Sequence, residues 1–485
     1  MRSIDAYIKE LFQTCEGLQI ITDPGSCEEY IIKNYSRSAI GAPKAILYPT
    51  LADQVGEIVR LANEYKVPLI VRSSQGNATY NGSSAPADGT EAVALNLSKM
   101  TKIMHIDTKN GIALIEPGVT YRQLNEALKP YGFYVEHPLM PRPDKSVIAS
   151  LLDREPVMTP KHCWDIPDPL TCVELYMGNG DIFRTGSAAG PGTLEEMLQS
   201  GCALNQPQGP YCLDLARVIS GSQGTLSVVT WASVKIRPVG TVKKLVTVQS
   251  DDLNALSGYT VQIIRRRLGE NIIILNNAVC RQITGLDVTA KKWILLIDVR
   301  GNRYFPERFV ENQIADMSDL ANEFCLKLED GIDGIDTDAL QAVLEDTSEA
   351  DDYWKDRKGD IRVDQFFLST LDKASVFVQE AERIINNYDI SQEDLAVYIQ
   401  PVMMGRSCHI EFLIPSTEDV SGRLEKDLGL AMLEKDAFFS RPYGALTDAV
   451  FEKSISQTPF MKHIKYFFDE NNIMNPDKLI YDGGY

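Results

Sequence analysis

An apolar run, Val67–Val71, empties directly into Arg72-Ser73-Ser74-Gln75-Gly76-Asn77-Ala78-Thr79-Tyr80-Asn81-Gly82. No other junction limits the chain so much. A strand that ends in small residues exposes several backbone N–H groups together, and such a nest binds phosphate. A second apolar run, Ile112–Ile115, closes at Glu116-Pro117-Gly118. The pair reads as a cradle for a dinucleotide pyrophosphate, held by N–H groups with Arg72 as its only charge. Neither GxGxxG opening a helix nor GxxxxGK[ST] is present, so a plain surface loop is the alternative.

At 485 residues the chain exceeds what one core supports, and two domains are expected. A net charge of −19 disfavours nucleic acid and anionic membrane as partners. It suits a basic protein partner or a solvated acidic surface. No apolar run reaches bilayer length, and Met1–Ile21 lacks a signal-peptide core, so a cytoplasmic location is expected. The nine cysteines contain no CxxC pair and the five histidines no HExxH, which leaves a metal site without support. An odd cysteine count without a signal sequence fits reduced thiols.

Thr50, with Asp53 three residues on, reads as the N-cap of a helix carrying Leu51, Val55, Ile58, Val59 and Ala62. Val93, Leu95 and Leu97 alternate as a half-buried strand, and Thr120 caps a helix to Leu128. Around Gly178-Asn179-Gly180-Asp181 the pattern is a hairpin, followed by a strand over Leu226–Ile236. Past Pro238, strand-like runs (Lys244–Val248, Trp293–Val299, Val363–Leu368, Leu395–Gln400, His409–Ile414) alternate with helical ones (Leu253–Leu268, Pro306–Cys325, Lys373–Asn387, Ser421–Lys435). This predicts an α+β domain, a sheet covered by helices on one face. Glu345–Asp352 reads as a solvated acidic loop. The tail holds a helix with Phe460, His463, Ile464 and Phe467 on one face.

In order along the chain, local strings resemble those of the vanillyl-alcohol oxidase/p-cresol methylhydroxylase (PCMH-type) flavoproteins. Pro43-Lys44-Ala45 and Pro49-Thr50 are similar to the family's entry. Gly76–Gly82 is similar to its pyrophosphate loop with its tyrosine, and Leu97-Ser98-Lys99-Met100 and Glu116–Tyr121 to the next two strings. Asp153-Arg154 with Thr159-Pro160 resembles a flavin-contacting turn, and Gly178–Gly186 the family's hairpin. Gly209-Pro210-Tyr211 and Gly221-Ser222-Gln223-Gly224-Thr225 resemble the segment before the last FAD-domain strand. Asn472–Lys478 resembles the closing string. The resemblance implies an α+β PCMH-type fold in three segments: an FAD-binding domain over 1–238, an inserted cap (substrate) domain of antiparallel sheet covered by helices over 239–436, and a return to the FAD domain over 437–485. It implies FAD held by Arg72, Ser73, Ser74, Gln75, Gly76, Asn77, Ala78, Asn81, Gly82, Pro117, Gly118, Thr159, Ser222, Gly224 and Lys478.

The chain also departs from the family. No histidine precedes His105, so attachment of flavin to an N-terminal histidine is excluded. The cap's double-histidine string reads Arg406-Ser407-Cys408-His409-Ile410, with Cys408 where the linking residue falls and His409 where the second histidine falls. FAD is therefore expected to be non-covalent, with a Cys408 link as alternative. His409 is read as a flavin-ring contact or a satisfied strand histidine, and Cys408 otherwise as a small buried residue. Tyr80 matches the loop tyrosine of the phenol-activating set. Arg441 matches its arginine, but Ser440 precedes it and Tyr443 is the substitute. Arg441 would stabilise a phenolate, grip a carboxylate, or merely pair at the domain seam. The family's acid should fall in Leu139–Pro143, where no carboxylate stands. There Arg142 would favour an anionic flavin or acidic substrate, or be a solvated loop arginine. His162 is a candidate general base or a structural residue.

The implied activity is FAD-dependent oxidation, with hydride passing from a 4-substituted phenol or aromatic alcohol to flavin. A 2-hydroxy acid (glycolate- or D-lactate-like) dehydrogenase is the alternative. An electron-transfer subunit, or a degenerate non-catalytic partner, is the third. Expected partners are a small-molecule substrate and an electron-accepting protein, and the family's habit suggests a homodimer.

Overall fold

The computed structural model describes residues 4–30, 41–75, 90–209, 214–285, 291–301, 304–348, 352–357, 361–444, 446–476 and 478–479. Tyr80 and Gly76, Asn77, Ala78, Asn81 and Gly82 of the expected cradle lie outside them.

Three sheets carry the chain. The first has four strands, in the order Gln19–Ile21, Ala45–Tyr48, Val93–Asn96, Leu69–Arg72; only the Gln19–Ile21 pairing is antiparallel. Val93–Asn96 is buried at every position rather than half-buried. It lies between two parallel neighbours with both sides covered, which removes the polar side that an edge strand shows. The helix Ala52–Tyr65 packs on this sheet, but its N-cap is Leu51, which makes no side-chain cap bond. Thr50 instead gives its backbone N–H to the Gln54 side chain at 2.8 Å. Thr120 does cap Tyr121–Leu128, in a capping box closed by Gln123.

A six-stranded antiparallel sheet is built around the 12-residue strand Ser227–Pro238, which pairs with Ile112–Ile115, Leu170–Met177 and Phe133–Val135. The predicted hairpin, Leu170–Met177 with Ile182–Arg184, forms its edge. The chain then crosses into a seven-stranded antiparallel sheet, in the order Leu328–Glu329, Val242–Ser250, Trp293–Gly301, Ile272–Asn276, Ala396–Val402, Ser407–Pro415, Arg362–Ser369.

Four helices cover one face of that sheet: Leu253–Arg265, Pro306–Glu323, Ala374–Asn386 and Glu418–Glu434. The other face is not bare. Asn277–Thr284 and Thr337–Glu345, which the periodicity did not reveal, cover part of it. Glu345 itself is not in a solvated loop, since it ends the helix Thr337–Glu345; Asp346 and Asp352 are exposed, and residues 349–351 lie outside the described ones. Glu345 pairs with Arg300 at 3.0 Å and Lys243 at 2.7 Å, and Ser348 is buried with its N–H on the Pro141 carbonyl at 2.9 Å. These charges neutralise cations of the cap sheet, which hydropathy alone does not report.

The last segment returns in stages. Ala437, Phe439, Leu446 and Val450 share the core of the seven-stranded sheet and its helices, whereas Phe451, Met461, Ile464 and Phe468 pack on the six-stranded sheet. Ile473 and Met474 reach the first sheet, with Leu69 giving its N–H to the Ile473 carbonyl at 2.7 Å. In the helix Thr458–Phe468, Phe460, His463 and Phe467 face solvent while Lys465 and Phe468 are buried.

Lys465 anchors this return. Its ammonium meets Asp469 at 2.6 Å and donates to the carbonyls of Thr225 and Met474, while Asp469 accepts the N–H groups of Ile473 and Met474. Removing one partner of a buried pair strands the other charge, at a cost of about 3–5 kcal/mol. Asp469→Ala is therefore expected to lower stability by that order in denaturant titrations. A change under about 1 kcal/mol would show that the pair does not hold the return.

Candidate functional site

Where the two smaller sheets meet, a groove of about 890 Å³, open mouth included, runs between the strand end at Val71–Ser74 and the helix Val147–Leu152. Its walls are apolar along Leu97, Pro117, Ile148, Leu152, Ile219 and Val229. Polar groups sit at its ends: Arg72, Ser73 and Ser74 at one, and Lys145, Asp153, Ser222 and Gln223 elsewhere on the lining.

Hydrogen bonds fix the rim. Ser146 gives its N–H to Ser74 Oγ at 3.1 Å and its hydroxyl to the Pro117 carbonyl at 2.6 Å. Gln75 gives its N–H to the Asp144 carbonyl at 3.0 Å and its side-chain amide to the Gly118 carbonyl at 3.3 Å. Arg72 is buried, gives Nε to the Ser74 carbonyl at 3.3 Å and lies over the Tyr30 ring.

Two glycines have distinct reasons. A Cβ on Gly118 would stand 2.6–2.8 Å from the carbonyl oxygens of Met100, Ser98 and Leu97, so Gly118 lets two backbones touch. Gly224 has φ +71° and lines the groove, where a Cβ would lie 3.7 Å from Val71. A groove that mixes apolar side chains with an arginine, a lysine and several hydroxyls offers both surface for a flat ring system and donors for an anion.

Of the remaining cofactor candidates, Thr159 is buried with its hydroxyl on Asn271 Oδ1 at 2.7 Å, turned to the cap rather than the groove. Lys478 is half-buried. Cys408 and His409 occupy opposite faces of one strand. Cys408 lies in the core under the covering helices, where burial pushes its thiol pKa well up. His409 lies on the face whose neighbour Gln400 bonds the Pro156 and Val157 carbonyls of the FAD half.

Arg441 and Tyr443 are both buried. The Arg441 guanidinium donates to the Asp153 carbonyl at 3.2 Å, approaches Glu155 at 3.9 Å and stacks 4.1 Å over Phe366. Tyr443 meets the same ring edge-on at 6.0 Å, and His409 stacks on it at 6.0 Å. Burial, then the Asp153 charge, raises the Tyr443 phenol well above its ordinary value. Arg441 thus joins the groove wall at Asp153 to an aromatic layer of the cap. Sequence reasoning missed the partners Lys145, Glu155 and Phe366. Lys145 sits 3.0 Å from Glu155 and 3.4 Å from Asp153.

The other two catalytic candidates fall at the seam. Arg142 is no solvated loop residue: it pairs with Asp356 at 2.6 Å and lies 4.3 Å over the Tyr353 ring. His162 meets Glu270 at 3.1 Å beside Lys161, which reaches the same carboxylate at 2.6 Å. Neither lines the groove. Among the described residues, no group of three or more His, Cys, Asp or Glu is placed to hold a metal, and no helix is long and apolar enough to cross a membrane.

Residues 43–186 match the family described as an FAD binding domain. The match makes FAD the cofactor, and the groove lies largely between residues of the matched stretch. The full chain superposes on p-cresol methylhydroxylase with substrate bound at a TM-score of 0.82 and 17% identity, covering 96% of this chain and 95% of that one. The fold is therefore the PCMH-type α+β fold. By sequence, the chain is 26% identical over 207 residues to the mitochondrial D-lactate dehydrogenase [cytochrome] of Arabidopsis thaliana, covering 43% of this chain and 32% of that protein. It is 32% identical over 160 residues to the 4-cresol dehydrogenase [hydroxylating] flavoprotein subunit of Pseudomonas putida, covering 32% of this chain and 29% of that protein. The matched stretches thus span about a third of those relatives' length.

Two outcomes test the geometry. Gly224→Val forces a β-branched side chain into the left-handed region and fills the groove, so FAD affinity is expected to fall at least about tenfold by fluorescence titration. At the seam, burial works to raise the Glu270 pKa, but His162 and Lys161 outweigh it and bring it down to about 2. Its contribution to stability is complete above the ordinary carboxylate range and is lost as pH falls through about 2. The stability gap between the native protein and Glu270→Gln should therefore narrow steadily on acidification below about pH 4.5. A gap constant down to pH 3 is the contrary result.

Proposed function

We propose that the chain is an FAD-dependent oxidoreductase that removes a hydride from a small substrate, a 4-substituted phenol or an aromatic alcohol. The observation that carries this reading is the buried Arg441 stacked on Phe366, joined to the groove wall through Asp153. When bound, FAD supplies the two-electron oxidant. Ser73, Ser74, Ser222 and Gly224 hold the cofactor, and its attachment is non-covalent, because Cys408 is sequestered under the helices.

Arg441 acts on the substrate oxygen. A guanidinium in a dry site stabilises an oxyanion far more than water does, and its fixed fork fixes orientation. The rings of Phe366 and Tyr443 supply flat apolar surface for an aromatic substrate and exclude water from that oxygen. The working division is an FAD half over 1–238, a cap over 239–436 and a returning segment over 437–485. The flavoprotein-subunit relative supports a protein electron acceptor as partner.

A second reading has its own support. The same guanidinium can take a carboxylate bidentately, and the D-lactate dehydrogenase relative points to 2-hydroxy acids. The decisive experiment is anaerobic addition of 4-alkylphenols, aromatic alcohols and 2-hydroxy acids to the purified flavoprotein. Bleaching of the flavin band by phenols or aromatic alcohols is expected. Bleaching by 2-hydroxy acids alone selects the second reading, and no bleaching by any class overturns both. Arg441→Met is expected to lower kcat/KM by about 10²–10³ with flavin content unchanged.

A further inference from the structure

The cap face that meets the FAD half holds a compact polar cluster whose chemistry Arg441 does not use. Glu411 is its centre. One carboxylate oxygen takes the Lys355 ammonium, and the other accepts from the Tyr398 hydroxyl and lies 2.9 Å from His409 Nε2. Lys355, His409 and Glu411 are all nearly sealed from solvent. Lys355 comes from the short helix Trp354–Asp356, and Tyr398 from the strand paired with that of Glu411.

This wiring fixes the histidine. Glu411 carries a lysine on one oxygen, so it is a carboxylate and can only accept; Nε2 must therefore bear the hydrogen. Burial works to raise the Glu411 pKa, but the Lys355 charge and the His409 hydrogen bond hold it well below the usual range. Burial, with the charges of Arg441 and Lys355, keeps His409 neutral against the pull of Glu411. Nδ1 is left as a lone-pair acceptor, with no hydrogen-bond partner among the described residues. The ring stacks on Phe366, which also meets Arg441 and Tyr443, and lies 5.5 Å from the Tyr398 ring. The base and the oxyanion-stabilising guanidinium thus share one aromatic plate.

We propose that His409 is the general base that takes the substrate hydroxyl proton, with Glu411 and Lys355 as its positioning residues. This rests on the oxidoreductase reading above. The substrate O–H bond breaks, an N–H bond forms at Nδ1, and the electron pair stays on oxygen beside Arg441. No electron changes hands in this step. The imidazolium that forms is balanced by Glu411, as in other carboxylate–histidine pairs.

The charged groups that set its titration are Glu411 on its own strand, Arg441 from the returning segment and Lys355 from the helix; Tyr398 and Asp364 on the flanking strands and Tyr443 from the returning segment are the other titratable groups around the cluster. Asp364 is raised to about 7 by burial and by Glu411, against Lys355 and Arg362.

The test uses the FAD-loaded protein and 4-hydroxybenzaldehyde, whose phenol and phenolate absorb at different wavelengths. The native protein is expected to bind it as phenolate at neutral pH. His409→Gln should raise the apparent pKa of the bound phenol by about one unit or more, a tenfold change in its ionised fraction. Glu411→Gln should shift it in the same direction. Equal ionisation in native protein and His409→Gln overturns the inference and leaves the oxidoreductase reading standing. No spectral binding by the native protein overturns the phenol reading and the inference with it. Nitrogen-15 NMR of the native holoprotein gives a check that depends on no variant folding. His409 should show a protonated Nε2 and an unprotonated Nδ1, and the opposite tautomer refutes the assignment.

Discussion

A β-strand sends successive side chains to opposite faces, and the site hangs on that alternation in two paired strands, Arg362–Ser369 and Ser407–Pro415. Val363, Phe367, Cys408, Ile410, Phe412 and Ile414 face the covering helices and form the cap core. Asp364, Phe366, His409 and Glu411 face the other way, toward the FAD half. Because the register opposes Phe366 to Glu411 and Leu368 to His409, a one-residue slip of Ser407–Pro415 would bury Glu411 and His409 under the helices. The apolar face thus pins the polar one. The site lies on the face opposite the four covering helices, beside the second apolar cluster that includes Trp354, Tyr398 and Leu413.

The charges at this seam are arranged so that few are left alone. Lys145 serves Asp153 and Glu155, Arg441 approaches the same Glu155, Arg362 and Arg142 share Asp356, and Lys355 serves Glu411. Buried pairs of this kind add little net stability over apolar packing, but removing one member is costly. They therefore fix the geometry between the halves more than they strengthen it. The groove follows a different plan: apolar side chains line it together with the buried Arg72 and the hydroxyls of Ser73, Ser74 and Ser222.

Much of this was legible in the residues. Apolar runs bounded by Gly and Pro located the long strands, and a capped 3.6-residue pattern located the long helices, because both are local signals. Ile272–Asn276 and Asn277–Thr284 were missed because they abut with no loop between them, Asn276 ending the strand and capping the helix. The helix starts one residue later than the pattern suggests, with Leu51 as N-cap, while the Gln54 side chain accepts the Thr50 N–H. In the site, Arg441 and Tyr443 were read as one set and His409 apart from them, and the structure joins the three through Phe366. The signal for Glu411 was present: His409-x-Glu411 puts two ionisable residues at period two in an otherwise apolar strand, so both share a face. Lys355 gave no such signal, because its contact with Glu411 spans 56 residues.

The missing carboxylate in Leu139–Pro143 and the polar cluster on the cap have a common structural cause. That loop is committed to docking. The Met140 carbonyl accepts the Ser348 hydroxyl at 2.8 Å and the Trp354 indole N–H at 3.3 Å, Pro141 accepts the Ser348 N–H, and Arg142 pairs with Asp356. Trp354, Lys355 and Asp356 form one short helix, so each of these bonds helps hold Lys355 against Glu411. An acid at position 142 would repel Asp356 and loosen that helix. In the resembling family this loop carries the acid, whereas here it supports a lysine that fixes a carboxylate and, through it, a histidine. With His409 as the proposed base, the acid–base chemistry would sit on the cap, and this loop would hold its positioning lysine in place.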